Sequence, residues 1–335
     1  MMMRIVYLLL FFVMSSCNSF NGGYKCLEPH DVKPLREKNS TIIEYRSDYP
    51  VGIYKSNDSI FLVLQAMSDT CFHVLNSKNR ECLYMGTKGL GEREFMNPNI
   101  ISTIDKSMLL LEDSNLKKIV RVDIVEDSVN IDVNIPYPDV IFPAKELNLS
   151  NNYMVGRKVG PYEKLFFIFD KRSGEMIEID NYPETPYDFV DKNYTFAPVL
   201  ALNEKEGRII LGMYFFDIIQ IYSLKGEYIG GYSFQENYMP SYDRDNRCVD
   251  LSKDYSGMIR SFSTEKYCYF LRKEMTDLSL VQLDWNGNLV NHYQLPDNVI
   301  GQFYIDEKKN LLYIIQKEIT DSYEEIYSIV SYELI

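Results

Sequence analysis

Histidine and tryptophan are scarce in this 335-residue chain, which has three histidines, His30, His73 and His292, and a single tryptophan, Trp285. Three scattered histidines argue against a histidine-based catalytic triad or a histidine-rich metal centre. None of the six cysteines forms a C-x-x-C pair, so the commonest zinc-binding spacing is missing too. After the first residues no apolar run approaches the roughly 20 residues of a membrane-spanning helix, and no long pattern of helical period stands out. Cations are in deficit, 35 Lys and Arg against 48 Asp and Glu, for a formal net charge of −13. So acidic a chain repels phosphate backbones, which excludes nucleic acid as an expected partner. It also excludes a polybasic mode of membrane binding.

What is present begins with the N-terminus. Arg4 is followed by an uninterrupted apolar run from Ile5 to Met14, and Met14-Ser15-Ser16 leads into Cys17. The run is too short to span a bilayer and suits the core of a signal peptide. The cysteine at its end resembles a bacterial lipobox, in which the thiol takes a diacylglyceryl group and becomes the new N-terminus. Residues 1–16 are therefore expected to be a lipoprotein signal peptide and Cys17 the lipidation site. Residues 17–40, with Gly22-Gly23, Pro29, Pro34 and mixed charges, read as a flexible tether. The segment Asn18-Ser19-Phe20-Asn21 lacks the acidic run that resembles a surface-export signal. The expected location is thus the cell envelope, membrane-anchored and periplasm-facing.

From residue 41 to 335 the chain reads as strand after strand. Strongly apolar segments recur at 60–64, 108–111, 153–155, 209–211, 267–271 and 311–315. The polar turns before them, at Asp58, Lys106, Asn152, Glu206, Lys266 and Lys309, are spaced by 48, 46, 54, 60 and 43 residues. Such spacing belongs to propeller blades of about 40–50 residues. Trp285-Asn286-Gly287-Asn288, Lys171-Arg172-Ser173-Gly174 and Leu224-Lys225-Gly226-Glu227 supply the glycines that hairpin turns require. The pattern predicts an all-β, six-bladed β-propeller of four-stranded antiparallel blades. The last repeat shows only three clear strands, so Thr41–Tyr45 is expected to provide its outer strand and lock the ring.

The segment Gly86-Thr87-Lys88-Gly89-Leu90-Gly91-Glu92-Arg93-Glu94-Phe95-Met96-Asn97-Pro98 is similar to the inter-blade signature of NHL-type propellers. With the lipobox and six repeats, residues 41–335 resemble the TolB-like six-bladed propeller lipoproteins. That resemblance implies fold and location, and it carries no catalytic set. The loop lacks the Lys-Ser/Thr and helix of a phosphate-binding loop. A sialidase-like propeller would repeat tryptophan-bearing boxes, and one tryptophan cannot supply them.

Few residues point to chemistry. Asp105, Asn203 and Asp306 follow expected innermost strands, where they suit turn caps better than metal ligands. His73 and His292 fall in outer hairpins and are expected at the surface or an edge. Loops between second and third strands should share one face with the inter-blade loops. That face would gather Arg93, Arg157, Lys158, Tyr162, Tyr214, Arg272 and Lys273 as a ligand surface for an acidic sugar or a protein loop. With Cys17 acylated, Cys71 with Cys82 and Cys248 with Cys268 could form disulfides or remain buried thiols. No cofactor and no metal site is expected. The leading expectation is a membrane-tethered binding or scaffold module for a protein or glycan. The alternative is a metal-dependent hydrolase or lyase using channel carboxylates.

Overall fold

Each repeat alternates side chains and ends in tight turns, and each folds as one antiparallel sheet. A computed structural model of the chain describes residues 24–27, 32–45, 49–125, 128–160, 164–236 and 238–335. Blade 1 is Pro50–Lys55, Ile60–Gln65, Thr70–Asn76 and Glu81–Thr87. Blade 2 is Asn99–Ile100, Leu109–Asp113, Lys118–Val125 and Ser128–Ile135. Blade 3 is Ala144–Leu149, Tyr153–Lys158, Phe166–Asp170 and Met176–Ile179. Blade 4 comprises Pro198–Asn203, Arg208–Met213, Ile218–Ser223 and Tyr228–Ser233. Blade 5 comprises Ser256–Ser263, Tyr267–Glu274, Asp277–Asp284 and Leu289–Gln294. Blade 6 has Val299–Asp306, Leu311–Ile319 and Glu325–Glu333, and takes Arg36–Tyr45 as its outer strand. All six apolar segments of the repeat become second strands. The protein is a six-bladed β-propeller.

Inner strands contact their neighbours around the axis, and blade 2 meets blade 3 through a parallel bridge between Ser102 and Asn148. Apolar clusters fill the gaps between blades: Leu200, Leu211, Phe166 and Tyr222 lie between blades 3 and 4, and Val199, Ile210, Phe270 and Leu283 between blades 4 and 5. Stacking thus buries both faces of every sheet, which no single blade could do. Two longer repeats carry insertions between blades. A helical turn, Lys192–Thr195, lies in the connection from blade 3 to blade 4, and a small hairpin, Tyr242–Asp243 with Cys248–Val249, in the next.

Closure follows the expected pairing, with Tyr45 opposite Tyr327 and Ile43 opposite Ile329. The strand starts earlier than expected, at Arg36. The stretch read as a flexible tether also contributes two short strands. Lys25–Cys26 runs parallel to the outer strand of blade 4, and Lys33–Pro34 runs parallel to the outer strand of blade 5. The chain therefore covers three consecutive outer edges, whose free N–H and C=O groups attract a partner strand. Gly231 allows this on blade 4, since a Cβ there would stand 2.6 Å from the Tyr24 ring.

The five described cysteines, Cys26, Cys71, Cys82, Cys248 and Cys268, are free thiols. Disulfides between Cys71 and Cys82 or Cys248 and Cys268 are corrected by register. Cys82 lies opposite Leu75, several residues along from Cys71, and Cys248 sits in the inserted hairpin while Cys268 is in blade 5. The histidines are also corrected. His73 and His292 are buried, because the face of an outer hairpin is covered by the neighbouring blade. Cys17 and His30 lie outside the described residues.

Candidate ligand site at the channel mouth

Strand order places the inter-blade loops and the second-to-third-strand loops on one face, as the repeat predicts. The segment resembling the NHL signature forms the connection from blade 1 to blade 2. Phe95 is buried against Phe72 at 5.1 Å between ring centroids, and the Asp113 carboxylate accepts the backbone N–H groups of Met96 at 2.6 Å and Asn97 at 3.1 Å. Its glycines make a turn, not a ligand cradle: Gly91 N donates to the Glu94 carboxylate at 2.8 Å.

The sequence-predicted residues separate into two groups. Arg272 is buried in the wall between blades 4 and 5, where Nε and Nη2 donate to Asp217 at 2.8 and 2.5 Å. Burial pushes the Asp217 carboxyl up while Arg272 draws it down, and such a pair holds a wall together. Lys158 pairs with Glu178 at 2.8 Å, away from the axis. Arg93 is exposed in its loop on the far side of the ring. Tyr162 lies outside the described residues. Arg157, Tyr214 and Lys273, by contrast, converge on the mouth between blades 3, 4 and 5. The Tyr214 ring is 5.9 Å from Tyr255, and the Lys273 ammonium sits 4.1 Å over Tyr255.

Four residues of this mouth were not foreseen. Arg260 stands on the innermost strand of blade 5, solvent-accessible yet ringed by protein. With the Gln302 amide turned to satisfy both neighbours, its oxygen accepts from Arg260 Nη2 at 3.0 Å and its nitrogen donates to Val51 O at 2.9 Å. Glu146 interrupts the innermost strand of blade 3 at φ 55°, in a bulge between Lys145 and Asn148. A non-glycine residue in the left-handed region is strained, and bulges of this kind re-aim side chains. Tyr194 and Tyr255 complete the wall, each packed on Phe215, at 5.7 and 5.0 Å. The signal that was available is charge on a strand next to the axis: Lys145-Glu146 within Ala144–Leu149, and Arg260 within Ser256–Ser263.

Two carboxylates act on the cations of this mouth, Glu146 on both Arg157 and Arg260 and Asp191 on Arg157. Arg157 is largely enclosed, and its Nε has no hydrogen-bond partner. Burial lowers the pKa of both Arg157 and Arg260, while Glu146 pulls each the other way. On the opposite face a loop of blade 2 lies over the axis beside a cavity of about 440 Å³ lined by Asp105, Arg121, Asn203, Lys205 and Glu265. The inner strand of blade 2 is only two residues long, and the loop after it reaches across the axis. There Lys106 Nζ lies 3.9 Å over the Phe262 ring of blade 5, and Tyr54 Oη donates to Lys106 O at 2.7 Å. Burial pulls Lys106 down to about 7. What remains inside is a cavity of about 70 Å³ lined by Tyr54, Thr103, Phe262, Gln302 and Arg260.

The polar residues after the inner strands cap turns. Asp105 accepts from Ser107 N at 2.9 Å, Asn203 from Glu206 N at 3.1 Å, and Asp306 from Lys309 N at 3.3 Å and Lys55 Nζ at 2.9 Å. Among the described residues no three His, Cys, Asp or Glu side chains gather as a metal site would require.

No family model matches the chain, and no curated protein matches it. Among solved structures, a DUF4221-family protein from Bacteroides vulgatus superposes with a TM-score of 0.52 at 10% identity, covering 90% of this chain and 97% of that one. A Bacteroides fragilis protein described as exported gives 0.50 at 12% identity, covering 92% and 97%. At these identities the likeness shows the shared propeller fold. No helix among the described residues is long and apolar enough to cross a membrane.

Proposed function

We propose that this chain is an exported, lipid-anchored propeller of the TolB-like or NHL-like kind that binds a protein ligand on its loop-rich face. The lipobox at Cys17 supports the anchor, the lack of an acidic run at Asn18-Ser19-Phe20-Asn21 supports the periplasmic side, and a protein of similar fold described as exported agrees with export. The buried Phe95 and the turn from Gly86 to Pro98 support the NHL-like relationship.

One observation carries the binding role. Met67, Leu90, Val190, Met275, Ile319 and Tyr323, each exposed, all stand on the face of inter-blade and second-to-third-strand loops. On the opposite face, among the described residues, the exposed large hydrophobics beside the loops are fewer, with Tyr228 at the end of the 224–227 turn and Ile335 next to the turn at Asn310. Single exposed apolar residues are ordinary, whereas their prevalence on one face supports an interaction surface there.

The test is cross-linking in intact cells followed by membrane pull-down, comparing wild type with a Leu90→Asp, Val190→Asp, Met275→Asp variant. Cross-linked peptides should map to this face, and partner recovery should fall by about tenfold or more, as expected when apolar anchors are lost. Equal recovery by the variant, or cross-links confined to the opposite face, would overturn the proposal.

A further inference from the structure

We infer that the cavity inside the channel is a binding site for a small, planar, singly charged oxyanion, of the size of formate or nitrate, held between Arg260 and Lys106. This site goes beyond the protein-binding reading and shares no residue with the apolar loop face, so either can fail without the other.

Residues of blades 1, 2, 5 and 6 line the cavity; Arg260 and Lys106 are its charged members, and no carboxylate is among them. The innermost strands of blades 5 and 6 slip in register between Met258 and Arg260 and between Val299 and Phe303. Bulges of this kind re-aim side chains, and Arg260 and Gln302 both line the channel there. Arg260 Nη2 donates to the turned Gln302 amide at 3.0 Å, which leaves most of a five-donor fork for a ligand. The Lys106 ammonium lies 3.9 Å over the Phe262 ring and donates to Thr103 O, and both partners line the same cavity. Ser102 adds to that lining a buried hydroxyl without a hydrogen-bond partner, and a polar atom so placed is costly unless something occupies it.

Charge and size select the ligand. Burial lowers the pKa of both cations, more than Asp105 and Glu307 raise that of Lys106 or Glu146 that of Arg260. An anion between them would restore both to full charge. A cavity of about 70 Å³ admits a few water molecules, hence an anion of about three or four non-hydrogen atoms, and excludes a sugar. The guanidinium fork matches planar oxyanions, and the ammonium adds a point charge. Glu146, acting on Arg260 from outside the lining, opposes a second negative charge.

The probe is carbon-13-labelled formate, followed by broadening of its NMR signal as the purified protein is titrated, at constant ionic strength. Wild type should broaden the signal saturably, and nitrate should compete. Chloride, which lacks planar oxygens, and gluconate, which is too large, should each compete at least about tenfold more weakly, the loss expected for a charge-assisted hydrogen bond. Arg260→Gln and Lys106→Met should each weaken formate binding by about the same factor. Arg260→Lys keeps a cation and loses the fork, so it should bring chloride level with formate, a change of preference that misfolding could not produce. No saturable broadening, indifference to both Arg260→Gln and Lys106→Met, or chloride equal to formate in wild type overturns the site. Competition by gluconate as strong as by nitrate overturns the cavity as the place of binding.

Discussion

Glu112, on the second strand of blade 2, is 2% exposed and faces no cation in hydrogen-bond contact. Its Oε1 accepts from Tyr137 Oη at 3.2 Å, and that hydroxyl in turn accepts from Ala144 N at 3.2 Å. Burial pushes the Glu112 carboxyl up to about 8, so the folded protein holds a proton that the unfolded chain releases near the ordinary carboxylate range. Stability from this group is complete at acid pH and is lost as pH rises through the interval up to about 8, at about 1.4 kcal/mol per pH unit. Glu112→Gln keeps the acceptor and removes the titration. Urea unfolding should show the variant matching wild type at pH 4 and exceeding it at pH 8; parallel curves would reject this account. Arg272 teaches a different lesson at the same scale. It was singled out as a ligand residue on loop position alone, and Asp217 and Glu274 hold it in the wall instead. A cation near a mouth is free to bind only when no neighbouring blade supplies its carboxylate, and such neighbours are remote in sequence.

Among the elements, the N-terminal segment decides how the ring is held. Residues 41–45 were legible as a closing strand because blade 6 lacked one, whereas Lys25–Cys26 and Lys33–Pro34 carry no alternation and were read as tether. Short edge strands take their energy from the exposed partner edge and not from their own pattern. The two contributions should differ in size. Tyr45 is buried against Tyr327 at 6.1 Å and His73 at 6.3 Å, so Tyr45→Ala should cost about 3–5 kcal/mol. Tyr24 is partly buried against blade 4 and accepts one hydrogen bond from Gln220 at 2.6 Å, so Tyr24→Ala should cost about 2 kcal/mol through that bond and the lost ring packing. Equal shifts in the denaturation midpoint would mean that the belt strand matters as much as the seam. Glu146 shows why the site was less legible than the fold: its bulge and φ of 55° come from the packing of blade 3 and have no turn residue to announce them.

For the whole molecule, the belt changes how an anchored propeller would sit. Described pairing begins beside Tyr24 on the rim of blade 4, only seven residues after Cys17. Seven residues span at most about 25 Å, so a lipid on Cys17 would hold the rim of blade 4 near the bilayer. A fluorophore at Tyr228→Cys, on the outer strand of blade 4, should then transfer energy to labelled lipid more efficiently than one at Tyr84→Cys on blade 1. Equal transfer would require a freely swinging domain. Six apolar segments at regular spacing, with glycine turns between them, were enough to specify the architecture, because burial of alternating side chains and turn geometry are local properties of the chain. The locking of Arg272, the burial of His73 and His292 and the path of the first strands depended on which blades become neighbours. Those contacts join residues from separate repeats, and only closure of the ring brings them within reach of one another.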